Sequence, residues 1–185
     1  ERFGGALVDE KKTYGRTLPV TVEGDPERSR SLVYRRAPEP EPGLLELAYE
    51  AGEFSRFRTD PRMPDGVFRT LYEAWIRRSC RGEIATGVIE ARSNDKGLDG
   101  MVTVAVEGDV GSIGLIAVHA RARGRGLGRA LVREAERLMR SRGATKATVV
   151  TQGANVGACR LYEACGYGVI AASSVHHFWV FEGRS

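Results

Sequence analysis

Between Val67 and Cys80 the apolar residues fall at positions 67, 68, 71, 72, 75 and 76, the spacing that lines one side of a helix. Leu127, Leu131, Ala135 and Leu138 repeat that period and predict a second amphipathic helix, which Gly143 ends. Shorter helices are predicted over 44–52, entered through Pro38-Glu39-Pro40-Glu41-Pro42, and over Asn155–Cys165, closed by Gly166. Between them lie apolar stretches too short for helices and bounded by turn residues, which predict strands. Ile84–Ala91 and Met101–Val106 flank the turn-rich Ser93-Asn94-Asp95-Lys96-Gly97. Ile113–His119 is apolar enough for burial on both faces, and Thr145–Thr151 and Val175–Phe181 complete the set. Strands alternating with helices on a mixed sheet make an α/β layout.

The first eight residues, Glu1-Arg2-Phe3-Gly4-Gly5-Ala6-Leu7-Val8, align without gaps on Glu163-Ala164-Cys165-Gly166-Tyr167-Gly168-Val169-Ile170. Strand-like stretches follow both, around Lys12–Leu18 and Val175–Phe181. Two readings stand: coincidence between two turns that lead from helix to strand, or the last strand of a worn first copy of the same fold.

The chain's 185 residues suit one domain, and 42% hydrophobic with 28% charged residues is globular composition. No apolar run reaches the roughly 20 residues that cross a bilayer, and the N-terminus has no apolar signal core, so a cytoplasmic setting is expected. Cys80, Cys159 and Cys165 are too few for a disulfide framework and fit no zinc spacing; no metal is expected. The net charge of +4 is unevenly placed. Residues 121–142 hold eight Arg against Glu134 and Glu136, a local +6, which leaves −2 for everything else. A compact anion at one place fits that distribution better than a long nucleic acid tracked over a surface.

The anion's seat is predicted in Arg121-Ala-Arg-Gly-Arg-Gly-Leu-Gly128, between a buried strand and an amphipathic helix. Glycines let main-chain N–H groups turn toward a ligand, the helix N-terminus adds partial positive charge, and a phosphate or pyrophosphate is the natural occupant. A dinucleotide fingerprint needs Gly-x-Gly-x-x-Gly, but the glycines stand at 124, 126 and 128, and no Gly-Lys-Ser/Thr of a P-loop is present. A repeated RGG-type segment would be longer; a solvated Arg-rich helix face is the plainer alternative.

Arg123-Gly124-Arg125-Gly126-Leu127-Gly128 resembles the Arg/Gln-x-x-Gly-x-Gly/Ala acyl-CoA motif of the GCN5-related N-acetyltransferases (GNAT). Asn155-Val-Gly-Ala158-Cys-Arg-Leu161-Tyr162-Glu-Ala-Cys-Gly166-Tyr167 resembles that family's C-terminal motif, and Tyr34-Arg35-Arg36-Ala37-Pro38 into Leu44–Ala51 its opening strand and helix. The resemblance implies a GNAT fold over 34–185: a mixed central sheet with helices on both faces and two splayed parallel strands holding acyl-CoA. Residues 1–33 are then an N-terminal strand segment. It further implies acetyl-CoA as co-substrate, bound by Leu115, Ile116, Ala117 and Val118 on one strand, by Arg123, Gly124, Arg125, Gly126, Leu127 and Gly128 in the bend, and by Asn155 and Ala158. Tyr162 matches the tyrosine that supplies a proton to the leaving thiolate. Asn155 also suits an N-cap, and Cys159, three residues before Tyr162, suits a small buried hydrophobe better than a nucleophile. The general base is not visible; His119, His176 and His177 are candidates, as is a water relay.

Ala48–Asp60, with its Ser55-Arg56-Phe57 element, and Val67–Gly82 resemble the TDP-fucosamine acetyltransferase group, as do Thr151-Gln152 and His177-Phe178-Trp179. That likeness implies an amino-sugar nucleotide as acceptor, with Arg56, Phe57 and Tyr72 binding it, and leaves a homodimer open. No nucleic acid or membrane partner is expected. The alternatives are a GNAT enzyme acting on another small-molecule amine or a protein N-terminus, and a non-catalytic acyl-CoA-binding module.

Overall fold

A computed structural model describes residues 5–20, 32–35, 39–93 and 97–179. The elements in chain order are β1 (Ala6–Thr17), β2 (Leu32–Arg35), α1 (Pro42–Ala51), α2 (Arg56–Thr59), α3 (Val67–Cys80), β3 (Gly87–Ser93), β4 (Gly97–Glu107), β5 (Val110–Val118), α4 (Leu127–Ser141), β6 (Lys146–Gln152), α5 (Val156–Ala164) and β7 (Gly168–His177). The helix predicted over Val67–Cys80 has those bounds, and the other predicted helices agree within a few residues at each end. The expected turn at 93–97 lies partly outside the described residues.

The seven strands among the described residues form one mixed sheet in the order β2-β3-β4-β5-β6-β1-β7. Alternating side chains on the central strands serve two cores, as the period of two along a strand requires. Ile89, Val102, Val104 and Ile113 pack with Leu131 and Ala135 of α4 on one face. Val88, Met101, Leu115 and Ala117 pack with Leu44 of α1 and Ile76 of α3 on the other. The buried side of α4 also carries Glu136, fully shielded and paired with Arg16 at 3.2 Å and Arg133 at 2.9 Å.

The last strand differs from expectation. It runs over Gly168–His177 rather than starting at 175, and the end of the predicted stretch lies outside the described residues. Residues 168–174 are exposed on both faces, so they carry no alternation for sequence reading to catch. β1 enters between β6 and β7, antiparallel to both, and so belongs to the same sheet as everything after it.

Two irregularities shape the centre. β5 and β6 pair in parallel only from Val110↔Lys146 to Ile113↔Val149, although β5 runs on to Val118 and β6 to Gln152. The strands therefore part, leaving the main-chain groups on that side of 114–118 facing a gap. At the same level β5 bulges: Val102 faces Ile116 while Val104 faces Ile113. Thr103 accepts a hydrogen bond from the Leu115 N–H on its hydroxyl at 2.8 Å, which holds the bulge from inside. Gly114 permits it, because a Cβ there would lie 2.8 Å from that hydroxyl oxygen. A bulge beside a gap re-aims the strand's groups toward it.

Candidate active site

The gap opens on one side into a cavity of about 570 Å³. Its floor is β5 (Ile116, Ala117, Val118), its roof the end of α1 (Glu50, Ala51), and its far end the glycine bend and the start of α4. Gly124 and Gly126 have φ of +75° and +78°, the left-handed region that side chains disfavour, and Gly126 is the N-cap of α4. No side chain caps that helix, so the first N–H groups of α4 have no intrahelical partner and face the cavity end. Gly128 lets α4 and α5 approach: a Cβ there would stand 3.2 Å from a Leu161 methyl. Arg123 ties the bend down, donating to the Val118 carbonyl at 2.8 Å and to Glu50 at 3.1 Å. The cradle fits a diphosphate, and the gap behind it fits an extended amide-bearing arm laid along β5.

Much of the basic run is engaged in structural contacts. Arg121 pairs with Asp99 at 2.9 Å, Arg133 with Glu136, Arg137 with Glu134 at 3.0 Å, and Arg129 donates to the Ala164 carbonyl at 3.1 Å. With those side chains engaged, the bend and the uncapped start of α4 leave main-chain N–H groups as a cradle suited to a compact anion.

A second cavity, of about 560 Å³, lies on the other side of the same gap. Arg56 and Phe57 of α2, Tyr72 and Trp75 of α3, Gly114–Ile116 of β5, Thr151 and Gln152 of β6, Tyr162 of α5, and Asp9 and Lys11 of β1 line it. Ser55 caps α2 by accepting from the Phe57 N–H at 3.2 Å, which fixes the turn bearing Arg56 and Phe57. The Arg56 guanidinium lies 4.4 Å from the Phe57 ring centroid, and Tyr72 stacks on Trp75 at 5.8 Å. Ala51, Ile116, Asn155 and Ala158 belong to both cavities, so the two spaces meet there.

Tyr162 is 2% exposed, its ring 5.7 Å from that of Tyr14. Among the described residues no protein group bonds its hydroxyl. Burial, with smaller contributions from Cys159 and Cys165, pushes the phenol above its ordinary value, so it stays protonated across working pH. Asn155 caps α5 through the Ala158 N–H at 3.1 Å while lining both cavities, so the N-cap role and the wall role coexist. Cys159 is buried, points its thiol at the Gln152 carbonyl 3.9 Å away, and lines neither cavity.

The structure brings Ile116, Ala117, Val118, Arg123, Gly124, Gly126, Leu127, Gly128, Asn155 and Ala158 onto the first cavity. Leu115 lines the second instead, because the bulge turns it toward α1 and α3. Arg125 lines neither. Arg56, Phe57 and Tyr72 share the second cavity with Tyr162. None of the three histidines reaches it: His119 caps the turn at 120–122, His176 is exposed, and His177 sits 2.7 Å from Asp60. Among the described residues no cluster of His, Cys, Asp or Glu could hold a metal, and no helix is long and apolar enough to cross a membrane. Sequence reading missed Asp9 and Lys11 altogether. No local motif marks them; only the placement of β1 beside β6 brings them here.

A model described as the acetyltransferase (GNAT) family matches residues 44–167. Among solved structures, a GCN5-related N-acetyltransferase from Sphaerobacter thermophilus is 24% identical with a TM-score of 0.56, over 94% of this chain and 52% of that one. A Bacillus subtilis acetyltransferase in complex with CoA is 20% identical, TM-score 0.56, over 76% of this chain and 77% of that one. A glucosamine N-acetyltransferase region of a fungal multi-domain β-N-acetylglucosaminidase is 15% identical, TM-score 0.59, over 95% and 21%. The chain spans 64% and 52% of the length of two of the solved structures it matches. No curated protein matches it at a significant level.

Proposed function

Because the chain belongs to the acetyltransferase (GNAT) family, we propose that it transfers an acetyl group from acetyl-CoA to a primary amine by direct attack. The observation that carries this reading is the pair of cavities that meet at Ala51, Ile116, Asn155 and Ala158. The donor side offers a diphosphate cradle from Gly124 to Gly128 and the open edge of β5. The acceptor side offers room for an amine to reach the junction. When bound, acetyl-CoA supplies an acetyl group activated as a thioester.

Tyr162 gives the developing thiolate a hydrogen bond. An ordinary phenol titrates near pH 10 and a thiol near 8.5, and burial widens that gap, so the proton stays largely on oxygen during bond cleavage. The N–H groups of the bend hold the diphosphate, and Asn155 stiffens the junction through its cap.

The leading acceptor is the amino group of a nucleotide-linked sugar. Arg56 on the cavity wall suits a phosphate, and Phe57 and Tyr72 suit the apolar face of a ring. Residues 1–33 carry β1, and its place inside the sheet is consistent with a strand left over from a degenerate first half.

Calorimetry with acetyl-CoA, then thiol release with a panel of amines including a TDP-linked 4-amino sugar, tests the reading. Tight binding with amine-dependent release is expected. No heat with any CoA thioester overturns it, and binding without release on any amine reassigns the chain as an acyl-CoA-binding module.

A further inference from the structure

Among the described residues that line the acceptor cavity, Asp9 is the one carboxylate. Asp9 lies where β1 runs past the end of its pairing with β6, one step beyond a register shift against β7 between Leu7 and Asp9. That irregularity changes which way the strand's side chains point, and Asp9 lines the cavity. It is 9% exposed, and its Oδ2 is shut from solvent with no hydrogen-bond donor. A buried acceptor without a partner is costly, so a fold keeps one mainly where a ligand completes it. Titratable and charged neighbours come from each side: Lys11 on β1, Arg56 on α2, Tyr72 on α3 and Tyr162 on α5, with the Gln152 amide on β6 and the uncharged Val175 opposite on β7.

We propose that Asp9 takes the proton from the incoming ammonium, and that the acceptor is a primary amine that also carries an anionic group, received by Arg56 and Lys11. This rests on the acetyl-transfer reading above. The ammonium loses one proton to an Asp9 oxygen, and the freed lone pair forms the C–N bond to the acetyl carbon. The C–S bond breaks with its electron pair going to sulfur, beside the Tyr162 hydroxyl. The second proton shed by nitrogen ends on that sulfur through solvent, and Asp9 returns its own proton to water. Burial raises the Asp9 carboxyl above its ordinary range, outweighing Lys11, Arg56, the Glu10 main chain and Gln152, which all lower it. That narrows the gap to the ammonium, which is widest for a simple alkylamine near pH 10 against an ordinary carboxylate near 3.9 and smaller for a sugar amine flanked by oxygens.

The test compares the wild-type chain with Asp9→Asn and Asp9→Glu. The probes are 2-aminoethyl phosphate, glucosamine 6-phosphate and a TDP-linked 4-amino-4,6-dideoxy sugar, with ethanolamine and glucosamine as phosphate-free counterparts. Turnover of a phosphate-bearing probe is expected to fall about 10²-fold or more in kcat/KM in Asp9→Asn. The acid limb of the pH profile should vanish, part of the rate should return in Asp9→Glu, and the acetyl-CoA Kd should hold within about twofold. Wild-type rates in Asp9→Asn overturn the proposal. So does a wild-type chain that binds acetyl-CoA yet acetylates no phosphate-bearing probe, or prefers the phosphate-free ones. Should the wild-type chain fail to bind acetyl-CoA, the transfer reading itself falls. If Asp9→Asn does not fold, carboxyl NMR of the wild-type chain decides: titration above the ordinary aspartate range supports the assignment, and titration at or below it refutes it.

Discussion

Replacing Gly126 with Ala tests the diphosphate cradle without needing the acceptor. Its φ of +78° places an alanine Cβ against the following carbonyl, at a cost of roughly 1–2 kcal/mol. If the bend keeps its shape, the whole cost falls on stability. For a domain of this size each kcal/mol is about 2–4 °C in Tm, so the midpoint drops by roughly 2–8 °C with the acetyl-CoA Kd unchanged. If the free bend relaxes to negative φ, its N–H groups swing away and binding must restore them. The same energy then appears as a Kd weakened about 5–30-fold, since 1.4 kcal/mol is tenfold. The two losses are linked and should sum to roughly 1–2 kcal/mol. Asn tolerates the left-handed region better, so Gly126→Asn should lose less on the same scale. Differential scanning calorimetry and isothermal titration with acetyl-CoA read both terms. An alanine variant matching the wild type in Tm and in Kd would show that neither fold nor ligand uses this geometry.

Tyr162→Phe should lower kcat by about 10²–10³ while leaving acetyl-CoA affinity and Tm near wild type, because the lost hydroxyl has no protein partner among the described residues; thiol release under saturating substrates measures it. Cys159→Ala should keep turnover largely intact, and an inactive but folded variant would bring back an acyl-cysteine route. Asp60 is pulled both ways: burial raises its carboxyl, but the Arg62 main chain, His177 and the Arg62 guanidinium together lower it to about 2. A carboxyl depressed in the folded state contributes stability that is present above pH 4 and lost as pH falls toward 2. The stability difference between wild type and Asp60→Asn in urea should therefore shrink across that window, and a constant difference would refute the assignment. Asp9 has the opposite sign. Raised in the folded state, its carboxyl loses stability as pH climbs through its folded value, so Asp9→Asn should match or exceed wild-type Tm at pH 7.5.

The donor half was legible because it is local. The run from Ile113 to Gly128 places a strand, a glycine bend and a helix start within sixteen consecutive residues, the strand and helix marked by apolar spacing and the bend by its glycines. Val67–Cys80 was readable for the same reason, one face of it packing on a core. The gap itself was not visible, since it depends on where β5 and β6 stop pairing, between residues 36 apart in sequence. Nor was the bulge that sends Leu115 to the acceptor side, because a one-residue slip reverses which face a side chain serves. Residues 168–174 read poorly because Gly, Ala and Ser dominate an edge strand with neither face buried. Asp9 was hidden most completely: its meaning comes from β1 lying beside β6, a contact between opposite ends of the chain.

The two cavities also differ in what they present to a ligand. On the donor side the principal groups are main-chain N–H and the open edge of a strand, which most substitutions leave in place so long as the glycines remain. On the acceptor side Asp9, Arg56, Phe57 and Tyr72 offer side chains to the cavity, carried on three elements that meet only in the folded sheet. Gly52 adds to this: a Cβ there would fall 2.3 Å from the Tyr72 ring, so the end of α1 sets how far that ring can close over the cavity. Gly52→Ala should therefore push Tyr72 outward and raise KM for the amine, with acetyl-CoA affinity held within about twofold. Equal damage to both affinities would mean that the two cavities are not separable, and that the Tyr72 wall supports the donor as well.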